Sequence, residues 1–153
     1  MNKLLFIFLF SAVPIVEQRG AIPVGIFSNY NPFLVFIVSY LGSMLPVPFI
    51  LLLFNSMYKF LKKYPMFDKI TNVIDSKISK NKNKLEKYKE IGLIAFIAIP
   101  LPTTGVWTGS AIAAFLGLDF KKSFFCAAIG ALISAIIITA MCLILPSLFS
   151  AAF

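Results

Sequence analysis

The stretch LLFIFLFSAVPIVEQRGAIPVGIF (residues 4–27) decides how this chain must be read. It sets Glu17, Gln18 and Arg19 between two of the most apolar pieces of the molecule, and Glu17 and Arg19 are the only charges in residues 4–58. A soluble protein would spread such residues over its surface. This chain has little water-facing surface to offer. Of its 153 residues 59% are hydrophobic, 17 are Phe, only 13% are charged, and the mean hydropathy is +0.92. That balance belongs to membrane proteins.

Residues 4–13 make only about 15 Å of helix, which reaches the middle of a bilayer and no further. Pro14, Glu17, Arg19, Gly20 and Pro23 then interrupt the run, and a second short apolar piece ends at SNYNP (28–32). The same plan recurs downstream, where IGLIAFIAI (91–99) breaks at PLPTTG (100–105) and resumes as VWTGSAIAAFLGL (106–118). Both stretches read as half-helix, irregular turn, half-helix. Irregular backbone is tolerated at membrane depth only where it is buried in protein or lines a cavity, so both are expected to be re-entrant hairpins. Two uncharged stretches, residues 33–54 and 123–145, are long enough to cross. Each carries a knot of small residues, LGSML at 41–45 and IGALI at 129–133, of the kind that lets helices approach closely. Pro46 and Pro48 are expected to kink the first span.

Charge orients the plan. Residues 59–90 hold ten Lys against four acids, and so carry +6 of the net +8. A basic segment beside apolar spans reads as cytoplasmic and close to anionic headgroups. Nucleic acid is not expected, because no aromatic-interleaved platform accompanies the charge. Phe67, Ile70, Ile74 and Ile78 recur at helical spacing, which predicts an amphipathic helix on the inner membrane surface. Lys87 and Lys89 precede the second hairpin, and Lys121 and Lys122 follow it. The hairpin therefore enters and leaves on the cytoplasmic side. The span at 123–145 then crosses outward, the span at 33–54 crosses inward, and the first hairpin dips in from outside. Lys3 alone argues for an inner N-terminus. Gly20 and Gly105 lie 85 positions apart and Gly42 and Gly130 lie 88 apart, the offsets of duplicated halves.

The expected fold is thus an all-α integral membrane protein of one domain, residues 1–153, multi-pass in the plasma membrane. Residues 1–58 form a first repeat (hairpin 4–28, span 33–54). A basic cytoplasmic amphipathic segment, 59–90, joins it to an inverted second repeat, 91–153 (hairpin 91–118, span 123–145). Transporters recurrently place their site where such repeats meet, near the midplane.

Charge at membrane depth is costly and is by default functional. Burial disfavours an ionised Glu17 while Arg19 favours it, a balance suited to a carboxyl that loads and releases a proton. Arg19 keeps its charge and offers a planar fork to phosphate or carboxylate. The bland alternative is an internal Glu17–Arg19 pair that pins the hairpin. In the second hairpin, Pro100, Pro102 and Gly105 free backbone groups, and Thr103 and Thr104 offer hydroxyls. The half-helix that follows, with Trp107 and Thr108 on its first turn, would aim N–H groups at an anion. The alternative there is a Pro-Gly turn whose threonines satisfy their own backbone. Gln18, Gly20 and Pro23 complete the candidate substrate and proton site. Catalysis is not expected, since no His exists and Asp68, Asp75 and Asp119 all fall in loops. Cys126 and Cys142 read as packing residues, and no metal or cofactor is expected.

With EQRGAIP (17–23), AIPLPTTGVWTG (98–109) and the basic insert between them, the whole chain resembles the small multidrug export protein family, a relative of the DedA/VTT membrane proteins. The resemblance implies two re-entrant hairpins facing each other from opposite leaflets, and an activity like the proton-motive-force-dependent recycling of undecaprenyl phosphate. It maps Glu17 and Arg19 onto the family's acidic and basic positions, and Pro23 and Pro100 to Gly105 onto its turns. The expected function is a small proton-coupled secondary transporter or lipid flippase moving an anionic lipid or small molecule between the hairpin tips. The alternatives are an exporter of cationic drugs and a non-transporting membrane scaffold. Expected partners are membrane lipid, the anionic substrate and protons. A second copy of the chain would help seal the hairpins from lipid.

Overall fold

The computed structural model of the chain describes residues 3–61, 82–101 and 104–152. Helix α1 (Lys3–Ala12) is followed after a four-residue break by α2 (Glu17–Phe27). Helices α3 (Pro32–Met44) and α4 (Pro46–Leu61) follow as one rod, with only Leu45 between them. Then come α5 (Lys82–Ala98), α6 (Val106–Phe115) and α7 (Phe120–Ala152). The described residues contain helices and connections and no strand. The predicted amphipathic helix around residues 67–78 lies outside the described residues, as do Pro102 and Thr103.

Local chemistry explains the boundaries. Helix α2 ends with Asn29 in left-handed backbone (φ 60°). Asn29 donates its N–H to the Ile26 carbonyl at 3.0 Å, and Tyr30 donates to Gly25 at 3.2 Å. Helix α6 ends the same way 88 positions later: Gly117 (φ 66°) donates to Ala114 at 3.1 Å and Leu118 to Ala113 at 3.1 Å. Both are the paired closure that satisfies the last helical carbonyls. Asn31 then caps α3, its Oδ1 accepting the Phe33 N–H at 3.0 Å with Pro32 at the first helical position. At the α3–α4 junction Leu45 keeps helical dihedrals, but Pro46 has no N–H for the Gly42 carbonyl. The Leu45 N–H takes that carbonyl instead, at 3.3 Å, and the helical path continues across the junction.

Each helical pair doubles back. Lys3 Nζ stands 5.7 Å from the Tyr30 ring centroid, so α1 starts beside the end of α2. Glu90 meets Lys122 Nζ at 3.2 Å, so the stem of α5 lies beside the start of α7. The first arm of the second pair reaches further than its apolar part predicts: α5 begins at Lys82, within the basic segment.

Two apolar lobes hold these hairpins. Ile7, Ala21, Ile22 and Val35 pack with Ala135 and Ile138, and Val47, Leu51, Leu93, Ile97 and Val106 pack with Ala127 and Ala131. Because Val35 meets the far part of α7 and Val47 the near part, the long rods run antiparallel. Gly42 and Gly130 let the hairpins approach them. A Cβ on Gly42 would strike Ser11 Oγ and the Phe8 carbonyl, and one on Gly130 would lie 2.8 Å from Ile97 Cβ and 3.0 Å from the Ile94 carbonyl. Stretches Pro32–Leu53 and Phe120–Ile144 are long and apolar enough to cross a membrane. Their outer faces present Phe33, Phe49, Phe125 and Ile144, each more than half exposed. With the composition, such a surface is that of a membrane protein.

Candidate functional site

The tips of the two hairpins meet inside the molecule. Glu17 opens α2 in a left-handed conformation (φ 47°), which a non-glycine residue holds only where its surroundings compel it. That turn points the carboxylate across the molecule to the start of α6. There Oε1 accepts the Trp107 N–H at 3.0 Å and Oε2 the Val106 N–H at 3.3 Å. Gly105, the residue before α6, supplies no capping side chain. Its φ of −162° is open to any residue, so its requirement is for space: a Cβ there would collide with the Glu17 carboxylate. Glu17 therefore acts as the missing cap and sets a negative charge on the positive end of the α6 dipole.

Arg19 treats the other broken end in the complementary way. Its guanidinium donates to the carbonyls of Ile97 at 3.2 Å, Ile99 at 3.1 Å and Leu101, where α5 runs out. A cation thus closes a helix C-terminus while an anion closes the next N-terminus. Trp107 returns the arrangement, its Nε1–H donating to the Ala12 carbonyl at 3.1 Å and closing the end of α1.

Gln18, 1% exposed, fixes the depth of this meeting. Its Nε2 donates to the Ala131 carbonyl at 2.7 Å. Its Oε1 faces the Ser43 hydroxyl at 3.2 Å, which also lies 2.8 Å from the Tyr40 carbonyl. Ser43 and Ala131 sit near the middle of the two membrane-length stretches. The tips therefore meet level with the middle of both stretches.

Several sequence expectations change here. Glu17 and Arg19 spend their hydrogen bonds on helix ends, so the simple internal pair is replaced by a clasp around the second break. The α6 N-terminus, expected to await a substrate anion, is already held by Glu17. Thr104 serves its own turn, with Oγ1 donating to the carbonyls of Ile99 at 2.8 Å and Leu101 at 3.2 Å. Thr108 is exposed. Pro23 lies within α2, where a turn was expected, and offers no N–H to the Arg19 carbonyl one turn back. Gly20 packs its first turn, its N–H bonded to the Val16 carbonyl at 2.9 Å.

Arg19, Pro23 and Pro100 do come together. With Phe27, Ile138 and Met141 they line an open groove of about 330 Å³. Arg19 is the only charge among its described lining residues. A guanidinium carries five N–H donors, and among the described residues three bonds to carbonyls engage Arg19. Sequence reasoning missed Ser43, whose signal was a lone hydroxyl beside Gly42. It could not have found Ala12, Ile97, Ile99 or Ala131, which take part only through backbone carbonyls. Among the described residues no cluster of His, Cys, Asp or Glu could hold a metal ion.

A family model described as "Putative small multi-drug export protein" matches residues 17–137, a segment that begins at the clasp and takes in both tips. No curated protein and no solved structure matches the chain. The match covers most of the chain, which belongs to that family.

Proposed function

We propose that this small multi-drug export family member is a proton-coupled secondary transporter whose substrate is an anionic amphiphile, the class that includes undecaprenyl phosphate and other lipid phosphates. The observation that carries the reading is the groove beside the clasp, whose described lining is apolar except for Arg19, a five-donor group with three bonds among the described residues. A phosphate fits those donors, and an acyl or isoprenoid chain fits Phe27, Ile138 and Met141. The two hairpins are re-entrant in this reading, dipping in from opposite leaflets as inverted repeats. The shared closures 88 positions apart and the matching approaches at Gly42 and Gly130 support it. Residues 59–90 face the cytoplasm by the positive-inside tendency, and two copies of the chain seal the hairpins from lipid.

The clasp supplies the mechanism. Parting the tips uncaps α6, α5 and α1 together, at about 0.5–2 kcal/mol for each cap, so the closed form dominates at rest. A protonated Glu17 holds the α6 N-terminus less strongly, because the charge that complements the helix dipole is gone. A substrate phosphate competing for Arg19 loosens the α5 end. Proton and substrate thus favour opening together, and neither requires a catalytic step.

The family's description favours a second reading, export of cationic drugs. Against it, the acid at the tips is buried beneath two amides. Proteoliposomes under an imposed proton gradient separate the two. We expect undecaprenyl phosphate to move with wild type, to stall with Glu17→Gln, and to move about tenfold more slowly with Arg19→Lys. Movement of a cationic dye alone would overturn the anionic reading, and flux unchanged in Glu17→Gln would remove the proton role.

A further inference from the structure

Seven of the eight glycines have a structural reason. Gly117 needs its positive φ, and at Gly20, Gly25, Gly42, Gly105, Gly109 and Gly130 a Cβ would strike a neighbour. Gly92 has none: a Cβ there would meet nothing within 4 Å. It stands inside α5, where glycine weakens a helix relative to alanine, and no contact among the described residues demands it. What surrounds it is a groove of about 230 Å³ between α5 and α6, far from the tips, lined by Lys89, Gly92, Leu93, Phe96, Ile112 and Leu116.

The order of those residues along α5 is informative. Lys89, Gly92 and Phe96 are three and four apart, so they share one face of the helix. Tyr88, 73% exposed, and Lys89 stand at the charged end of the molecule, where Glu90 meets Lys122. An aromatic and a cation together mark headgroup level. At about 1.5 Å per residue, Phe96 lies about 10 Å deeper. Ile112 and Leu116, one turn apart on α6, form the opposite wall. The groove is therefore a cation above an apolar channel whose floor has been kept bare at Gly92.

We propose that this groove is a binding site for an anionic phospholipid, its phosphate at Lys89 and one acyl chain lying over Gly92 towards Phe96. The lipid is a resident one. It wedges α5 against α6 from outside and is distinct from any molecule carried between the tips. The inference rests on the chain being a membrane protein and is independent of transport.

Native mass spectrometry of the protein released from nanodiscs of phosphatidylglycerol or phosphatidylcholine tests it. Wild type should retain phosphatidylglycerol at least about fivefold more often than phosphatidylcholine. Lys89→Gln should abolish that preference while still retaining lipid. Gly92→Leu, whose side chain enters open space, should retain neither. Gly92→Ala should keep the site, and its melting temperature shows whether the position tolerates a side chain at all. Equal retention of the two lipids by wild type would overturn the proposal, as would undiminished retention by a folded Gly92→Leu.

Discussion

A single acidic side chain organises the middle of this protein. Glu17 accepts a strained backbone to reach the amides of Val106 and Trp107, and Gly105 exists to make room for it. Glu17→Ala should cost about 0.5–2 kcal/mol of thermal stability through the lost cap. Gly105→Ala should cost about 1–3 kcal/mol through overpacking. The two effects should not add: once the carboxylate is gone the Gly105 clash vanishes. The double variant should then melt close to Glu17→Ala. Additivity within about 0.5 kcal/mol would mean that the residues do not share that space. Arg19→Lys should lower stability as well as flux, because a point-like ammonium cannot span the carbonyls of Ile97, Ile99 and Leu101 as the planar fork does. That EQR stands out, polar between two apolar runs, was legible from charge and hydropathy alone. Its partners were not legible, since all three helix ends involved offer only backbone.

Between residue and fold stand the helix breaks, which the sequence announces clearly. Pro14, Pro100 and Gly105 stop helices too short to cross, and uncharged runs mark the long ones. The start of α5 at Lys82 has no apolar period to mark it, its first turns being charged and polar, and the capping-box spacing of Asn83 and Glu86 is what announces it. Small residues at 42 and 130 were readable as approach points, and the backbone contacts at Phe8 and Ile94 give them their reason. Gly42→Ala and Gly130→Ala should each destabilise by about 1–3 kcal/mol, whereas Gly92→Ala, with open space around it, should stabilise by about 0.5–1 kcal/mol. Parallel thermal melts in one detergent check all three. A harmless Gly42→Ala would contradict the close packing of α1 on α3.

The whole molecule is two doubled-back helix pairs set against antiparallel rods, each pair closing the broken ends of the other. Glu17 and Arg19 of the first finish α6 and α5 of the second, and Trp107 of the second finishes α1 of the first. A break of this kind is costly in lipid unless something satisfies it, so the halves are stable as a pair and poor alone. That reciprocity also ties opening to the loss of several caps at once, which suits a transporter that rests closed. The depth at which the two tips meet can be measured without any substitution, because Trp107 is the only tryptophan in the chain. Its fluorescence should be followed in vesicles carrying quenchers at defined depths along the acyl chain. Labels near the bilayer centre should quench it most strongly. Strongest quenching at headgroup level would contradict that placement and return the hairpins to the membrane surface.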